Sequence, residues 1–527
     1  MQESQGGSHW VRASSKGVCM TENYELTFTT LDSDTEPTTS KLGLSAFFGF
    51  DMSDIGIAHY VASMYGTSIR YITDMGVFYA YSTARHIWER DAESLKTKQY
   101  IVSAVDKLAE KAQHAEDLAK YVDSKEARKA LESVAKTLWK LRDKYHSKTK
   151  IQDVLECLKL ETTIAGDSSI FDKNPLLFGV KNGVVNLQTG ELLPHRKDYY
   201  LSKASPVEYN PQATCPTWES MLEKVQPNVE IRNFIQRIVG YALVGYQTKQ
   251  HFIVFHGEKG MNGKSTFMKT LSDIMGDYAK KANQATFLKG NGGGKGAHQD
   301  DLVYLVGARM VSISETAPGA PLDESLVKAF TSGDEMTARG MYKSSFSFRP
   351  TALPILDSNY KPKIVGDDGG IWRRLLLVSW DIQIPADEVD LNFQDKLRNE
   401  YPGILAWCVR GAAAFTGQQG ISPPQAIVEA TRDYRLESDN IQTFLNSNFE
   451  AVDGDTLPPP SLPDLDSLFA LWKAFCEDNE IKAVGAKNGF GQKLVARGVG
   501  RKLFKNVGNR YLLRKKNAAQ TSETTPF

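Results

Sequence analysis

The residues of this 527-residue chain best suited to chemistry lie in 251–266, HFIVFHGEKGMNGKST. Gly257, Gly260 and Gly263 lead into Lys264, Ser265 and Thr266, with Asn262 in the same loop. Glycines let backbone N–H groups converge on phosphate oxygens, a following helix adds its N-terminal dipole, a lysine reaches the β- and γ-phosphates, and a serine hydroxyl ligates Mg²⁺. The flanks fit, because four apolar residues, Phe252 to Phe255, form a buried-strand signature and STFMKTLSDIMG after them is compatible with a helix. The spacing G-x-x-x-x-G-K-[ST] would put a glycine at 258, where the chain has Glu258, so the loop looks one residue longer than that pattern. A phosphate-binding loop is expected, against the plainer alternative of a glycine-rich turn that happens to precede Lys-Ser.

Such a loop serves kinases, GTPases and motor ATPases alike, so residues further on decide more. The run Met310-Val311-Ser312-Ile313-Ser314 ends in Glu315. An acid at the end of a buried strand beside the loop can hold Mg²⁺ and polarise the attacking water. Leu353-Pro354-Ile355-Leu356 leads to Asn359, whose amide could orient the γ-phosphate or that water. Arg373 and Arg374 stand just before the apolar run LLLVSW; two adjacent arginines at a strand edge are usually surface charges, but an arginine finger acting on a neighbouring subunit's nucleotide would sit in such a place.

The elements that must position these residues follow from periodicity. Residues 1–45, rich in Ser, Thr, Gly and Asp, are expected to form a flexible tail. Residues 46–230 form an accessory domain, mostly helical, with strand-like runs in SIRYITDMGVFYAYST and hairpins about Asn182-Gly183 and 188–191. Within it, Leu131, Val134, Leu138 and Leu141 recur at helical spacing. Between 231 and 385, strand-like runs at VYLVGARMVSIS, ALPILDSN and RLLLVSW alternate with helical patterns, which indicates an α/β core. A helical extension over 386–450, a Pro-rich linker over 451–464, a basic module over 465–515 and a tail over 516–527 complete the chain.

Lys plus Arg and Asp plus Glu both number 63, so net charge favours no class of partner. Local charge does, because residues 481–516 hold eleven Lys or Arg and no Asp or Glu. KLVARGVGRKLFKNVGNRYLLRKK there has the pattern of a helix end followed by a two-stranded wing around Val507-Gly508-Asn509. A winged-helix DNA-binding module is expected, with Arg501, Lys502, Lys505 and Arg510 on phosphates; the alternative is a solvated basic face. The five cysteines are scattered without a CxxC pair, and no apolar run has the length of a membrane span, so a cytoplasmic protein without membrane partners is expected.

The series GMNGKST, VSISET, VKAFTSGDEMTARGMY, LDSNYKP and DDGGIWRRL, in that order, resembles the superfamily 3 helicases of the phage, plasmid and poxvirus-type primase-helicase family. Upstream, NGVVNLQTGELLPH and ATCPTWESML resemble the segment that precedes the ATPase in that family, and the resemblance covers roughly residues 46–435. It implies a multidomain α/β protein with an AAA+-like P-loop ATPase core, using ATP and Mg²⁺ and assembling as a ring, typically a hexamer, on single-stranded or forked DNA. It further implies Lys264 and Ser265 as the Walker A pair, Glu315 as the Walker B acid and Asn359 as the sensor. Arg374 would be the finger, with Arg373 as the alternative, and Arg339, Tyr342 and Lys343 would lie on or near a DNA-contacting hairpin.

Three functions fit this pattern. The first is a replicative DNA helicase of a phage or mobile element in a bacterial cytoplasm, the second an ATP-dependent initiator or loader that does not unwind processively, and the third a P-loop small-molecule kinase. About 45 residues precede the helical domain, too few for a polymerase-like core, so no primer synthesis by this chain is expected and a separate primase would supply it.

Overall fold

The computed structural model describes residues 9–13, 16–20, 26–30 and 51–516, apart from 247–249, 290–296, 315–319, 340–344, 365–368, 419, 453–457 and 479–485. The chain divides into two compact units, residues 1–173 with 196–202, and residues 174–195 with 203–527. The boundary therefore falls near 173 and not at the expected 230.

In the first unit, the expected tail contains a three-stranded antiparallel meander, β1 (His9–Ala13), β2 (Lys16–Met20) and β3 (Leu26–Thr30). Helix α1 (Asp54–Tyr65) follows, capped by the Ser53 hydroxyl, which accepts from the Gly56 N–H. A four-stranded sheet comes next, with order β6-β5-β4-β7, from β4 (Ile69–Ile72), β5 (Val77–Ser82), β6 (Ile87–Arg90) and β7 (Ala165–Gly166). Period two explains its burial, since Phe78 and Ala80 face the helices while Tyr79 and Tyr81 point the other way. Helices α2 (Leu95–Tyr121), α3 (Lys125–Tyr145) and α4 (Lys148–Leu158) complete the unit. Leu131, Leu138 and Leu141 are buried as their spacing predicts, and Val134 is half-buried.

The second unit opens with the expected hairpins, β8 (Leu177–Val180), β9 (Gly183–Asn186) and β10 (Leu192–Leu193), then α5 (Pro216–Val225) and α6 (Val229–Val244). Its centre is a five-stranded parallel sheet with order β12-β13-β16-β11-β17. The strands are β11 (Phe252–His256), β12 (Ala279–Ala282), β13 (Met310–Ser314), β16 (Leu353–Ser358) and β17 (Leu375–Ser379). Continuous apolar runs are what a sheet covered on both faces requires. Ile253 and Phe255 join one core with Trp218, Phe267 and Ile238, whereas Phe252 and Val254 join a second with Phe287, Leu305 and Phe330. Three layers result.

On the first face lie α5, α6, α7 (Lys264–Met275) and, later in the chain, α11. On the second lie α8 (Ala297–Leu305) and α9 (Glu324–Ser332). The start of VYLVGARMVSIS is thus the end of a helix and not a strand; Leu302 and Leu305 sit at helical spacing, and the turn at Gly307, φ +68°, separates them from β13. A hairpin of β14 (Met336–Arg339) and β15 (Ser345–Phe348) lies between α9 and β16. Beyond the sheet come α10 (Phe393–Asn399), α11 (Tyr401–Gln418) and α12 (Gln425–Ser438). Helices α6 and α11 touch backbone to backbone, since a Cβ on Gly240 would lie 2.0 Å from the Gly411 carbonyl carbon.

The C-terminal module begins earlier than expected. Helix α13 (Asn440–Asn448) and β18 (Phe449–Ala451) share one core with α14 (Leu465–Asp478) and α15 (Lys487–Ala496). Where a wing is expected about 507–509, β19 (Arg501–Phe504) pairs with β20 (Gly508–Tyr511) as an antiparallel hairpin, and β21 (Leu513–Lys515) pairs with β18. The Pro-rich segment expected as a linker over 451–464 is therefore flanked on both sides by residues of one core, Phe449 before it and Leu468 after it.

Candidate functional site

The chain leaves β11 toward β12 at one edge of the sheet and later passes it to reach β17 at the other. In open parallel sheets the crevice outside the strand ends at such a reversal is where ligands bind. Here the carboxyl ends of three strands meet, with His256 in register with Ser358 and Ser314 with Asp357.

Residues 257–263 join β11 to α7, and their shape is specified by a few contacts. A Cβ on Gly257 would lie 2.3 Å from the Trp380 carbonyl oxygen, and Gly263 has φ +80°, so these two positions require glycine. Gly260 has open space around it, and the loop conformation makes no such demand there. Asn262 is buried, and its Nδ2 donates to the carbonyls of Lys259 (2.8 Å) and Trp380 (3.0 Å). Its amide therefore shapes the loop.

Lys264, the first residue of α7, is only 3 % exposed. Its Nζ donates to the Gly257 carbonyl at 3.1 Å and to Asn359 Oδ1 at 3.0 Å. The lysine and the asparagine selected from the sequence are in direct contact, although 95 positions separate them. Burial pushes the Lys264 ammonium below the ordinary lysine range, while the charges of Asp357 and Asp381 pull it back up. Burial likewise lowers His256, assisted by the Lys361 charge. Ser265 is exposed and Thr266 half-buried on the first turn of α7.

Asp357 and Asp381 were not singled out from the sequence. Asp357 sits inside the apolar run LPILDSN, and only the sheet order, which sets it beside Ser314 and Phe255, reveals its place at the strand ends. Glu315 follows β13 directly and lies outside the described residues, as do Tyr342 and Lys343.

The arginine pair lies elsewhere. Leu375, the residue after Arg374, pairs with Phe252, the first residue of β11, so both arginines stand at the amino edge of the sheet. About 13 Å of strand separates them from the loop edge, more than an arginine side chain spans. Neither reaches the loop of its own chain. Arg374 is 6 % exposed, with Nε donating to Thr331 Oγ1 at 3.2 Å and a terminal nitrogen to the Gly370 carbonyl at 2.7 Å. Arg373 is exposed and has no side-chain hydrogen bond or ion pair among the described residues. Arg373 is thus presented to solvent, whereas Arg374 is held by its own fold.

In the C-terminal module the basic excess is partly neutralised from within. Arg497 pairs with Asp439 at 2.8 Å, Lys487 with Asp466 at 2.6 Å, Arg514 with Glu450 at 3.2 Å and Arg510 with Asp464 at 3.7 Å. Arg501, Lys502 and Lys505 are exposed on the β19–β20 hairpin, and Arg339 is exposed at the end of β14.

Residues 58–227 match the family described as D5 N terminal like, and residues 255–374, from the end of β11 to the arginine pair, match a family of unknown function. "Putative helicase L207/L206" of Acanthamoeba polyphaga mimivirus is 26 % identical over 303 residues, covering 54 % of this chain and 31 % of that protein. "Putative primase C962R" of African swine fever virus is 27 % identical over 213 residues, 39 % of this chain and 22 % of that one. The chain thus spans about a third or less of these relatives' length. The match to the apo structure of the NrS-1 C-terminal region covers 86 % of this chain and 98 % of that one, at 10 % identity and a TM-score of 0.46. The D5-like match and the names of these relatives agree with the primase-helicase family that the motif series resembles. No helix of the described residues is long and apolar enough to cross a membrane.

Proposed function

We propose that the chain is an ATP-dependent DNA helicase motor that works as a ring, in keeping with the hexamer its motifs imply, on single-stranded DNA. The observation that carries this is the 3.0 Å contact between Lys264 and Asn359 across the carboxyl ends of the strands, which joins a phosphate-binding cation to a sensing amide. Lys264 neutralises the β- and γ-phosphates, and Asn359, released from it, turns to the γ-phosphate or the attacking water. Ser265 and Glu315 would hold Mg²⁺, which supplies charge neutralisation between the phosphates. Arg373 supports the ring, because an arginine at the far edge of the sheet meets a γ-phosphate only on another copy. Arg501, Lys502 and Lys505 supply phosphate-backbone contacts.

The test is turnover and strand displacement together. Lys264→Ala is expected to abolish ATP hydrolysis, and Glu315→Gln to retain nucleotide while losing turnover. ATP turnover that ignores DNA would sink the motor assignment and return the kinase reading. Turnover stimulated by DNA without displacement of a forked strand would leave the initiator or loader.

A further inference from the structure

Ser314 ends β13 at the place where a P-loop nucleotide site calls for an aspartate to hold Mg²⁺ together with the loop serine or threonine. A serine there brings no charge. The charge lies one strand away. Ser314 pairs in register with Asp357 on β16, and Phe255 of β11 pairs with the same residue from the other side. This carboxylate therefore stands between the strand that leads into the phosphate loop and the strand that leads to Glu315.

Period two decides which way it points. Ile355 packs with Trp218 and Phe267 in the core of the first face and Leu356 in that of the second, so Asp357 returns to the first face, the one that α7 covers. Helix α7 begins with Lys264 and Ser265. Residues in register on neighbouring strands share a face, so Ser314 and Asp357 are side by side, about 4.8 Å apart at the backbone. Asp357 is half-buried. Asp381, the other acid whose charge acts on Lys264, is exposed and follows β17, on the far side of β11 from β13.

We infer that Asp357 supplies the carboxylate that position 314 lacks and holds the Mg²⁺ of a bound nucleotide together with Ser265 and Glu315. The inference rests on the proposed phosphate site. The donors fit, because a hydroxyl and a carboxylate are hard oxygen ligands, and Mg²⁺ beside nucleotide phosphates takes one or two carboxylates and keeps several waters. Asp357 also acts on the phosphate end of the site: burial lowers the Lys264 ammonium, and the Asp357 charge is the first of those that oppose it. The plainer role is a counter-ion for Lys264. A counter-ion matters equally with and without metal, whereas a metal ligand matters only with it.

The test measures ATP affinity of the full chain in Mg²⁺ and in EDTA, and the affinity of the ATP-bound protein for Mn²⁺ by electron paramagnetic resonance. Mg²⁺ should tighten ATP binding by the wild type. Asp357→Asn, nearly isosteric, should weaken ATP about tenfold or more in Mg²⁺ and lower Mn²⁺ affinity by a similar factor, the scale of one lost partner at a metal site. In EDTA its ATP affinity should be unchanged or higher, since a negative charge near the phosphates is gone. Ser314→Asp combined with Asp357→Asn moves the carboxylate across one strand spacing and should restore both affinities. Equal loss in Mg²⁺ and in EDTA, or Mn²⁺ affinity unaltered by Asp357→Asn, would overturn the inference, leaving Asp357 outside the metal site and the phosphate site intact. Failure of the wild type to bind ATP in either condition would overturn the phosphate site itself, and the inference with it.

Discussion

Lys264 carries a cost that its function imposes. Its ammonium is buried against a carbonyl and an amide oxygen, neither charged, and desolvation lowers its proton affinity in the fold. A lysine whose folded pKa lies below its unfolded value destabilises the protein while charged, and this penalty is relieved as pH rises through the folded pKa. Lys264→Met should therefore raise the melting temperature of the nucleotide-free protein and erase the further rise that nucleotide gives the wild type; thermal scans with and without ATP check both. In the wild type, loss of the charge should weaken ATP binding at an alkaline pH below the ordinary lysine range. The arginines divide in the same way. Arg373→Ala should lower turnover by up to ~10³-fold with little effect on stability. Arg374→Ala should instead destabilise the subunit by about 1–3 kcal/mol, since Thr331 and Gly370 lose a buried donor. Mixing Arg373→Ala with Lys264→Ala subunits should restore hydrolysis at interfaces that pair an intact loop with an intact arginine. Absence of rescue in mixed assemblies of verified composition would remove Arg373 from the γ-phosphate.

Among the elements, α1 and α4 are tied by Lys150, whose Nζ meets Asp54 at 2.9 Å, while the Tyr145 hydroxyl donates to the same carboxylate at 2.8 Å. The Lys150 hydrogen bond is the main reason the Asp54 carboxyl titrates below its ordinary value. Stability from this contact is present above pH ~4 and is lost as pH falls through the lowered pKa. The difference in melting temperature between wild type and Lys150→Met should accordingly shrink between pH 5 and pH 3, and a constant difference would show that the ion pair contributes nothing. How far elements could be read from the sequence depended on how locally they are specified. The strand, loop and helix over 252–275 were legible because apolar run, glycines and amphipathic run are contiguous. The two long helices after Leu95 were legible for the same reason. The start of VYLVGARMVSIS misled, because Leu302, Val303 and Leu305 are as apolar as a strand and only their packing against β-strand residues on one side makes them a helix. Asp357 was invisible because its meaning depends on which strands are neighbours, and the sequence does not state the order in which β16 and β13 lie.

For the whole molecule, the module boundary changes what a truncation means. Removing the chain from Ser461 would strip α14, α15 and the wing from Ile441, Phe444, Leu445 and Phe449, exposing half a core, so DNA binding is better tested by removal from Asn440 or by changing the wing alone. Replacing Arg501, Lys502 and Lys505 by alanine should lower the slope of log affinity against log salt by about 2 on single strands, at ~0.7 per phosphate contact. An unchanged slope would assign the wing to a protein partner. The pairing of β18 with β21 has a mechanical consequence as well. Strand β18 starts at Phe449 and β21 ends at Lys515, directly opposite, so a pull between the start of the one and the end of the other would load the ladder one rung at a time, as a zipper is opened, and not all rungs together in shear. Strand β21 should peel first at low force, so a bead or surface tether for single-molecule recordings of this protein belongs anywhere but after that strand.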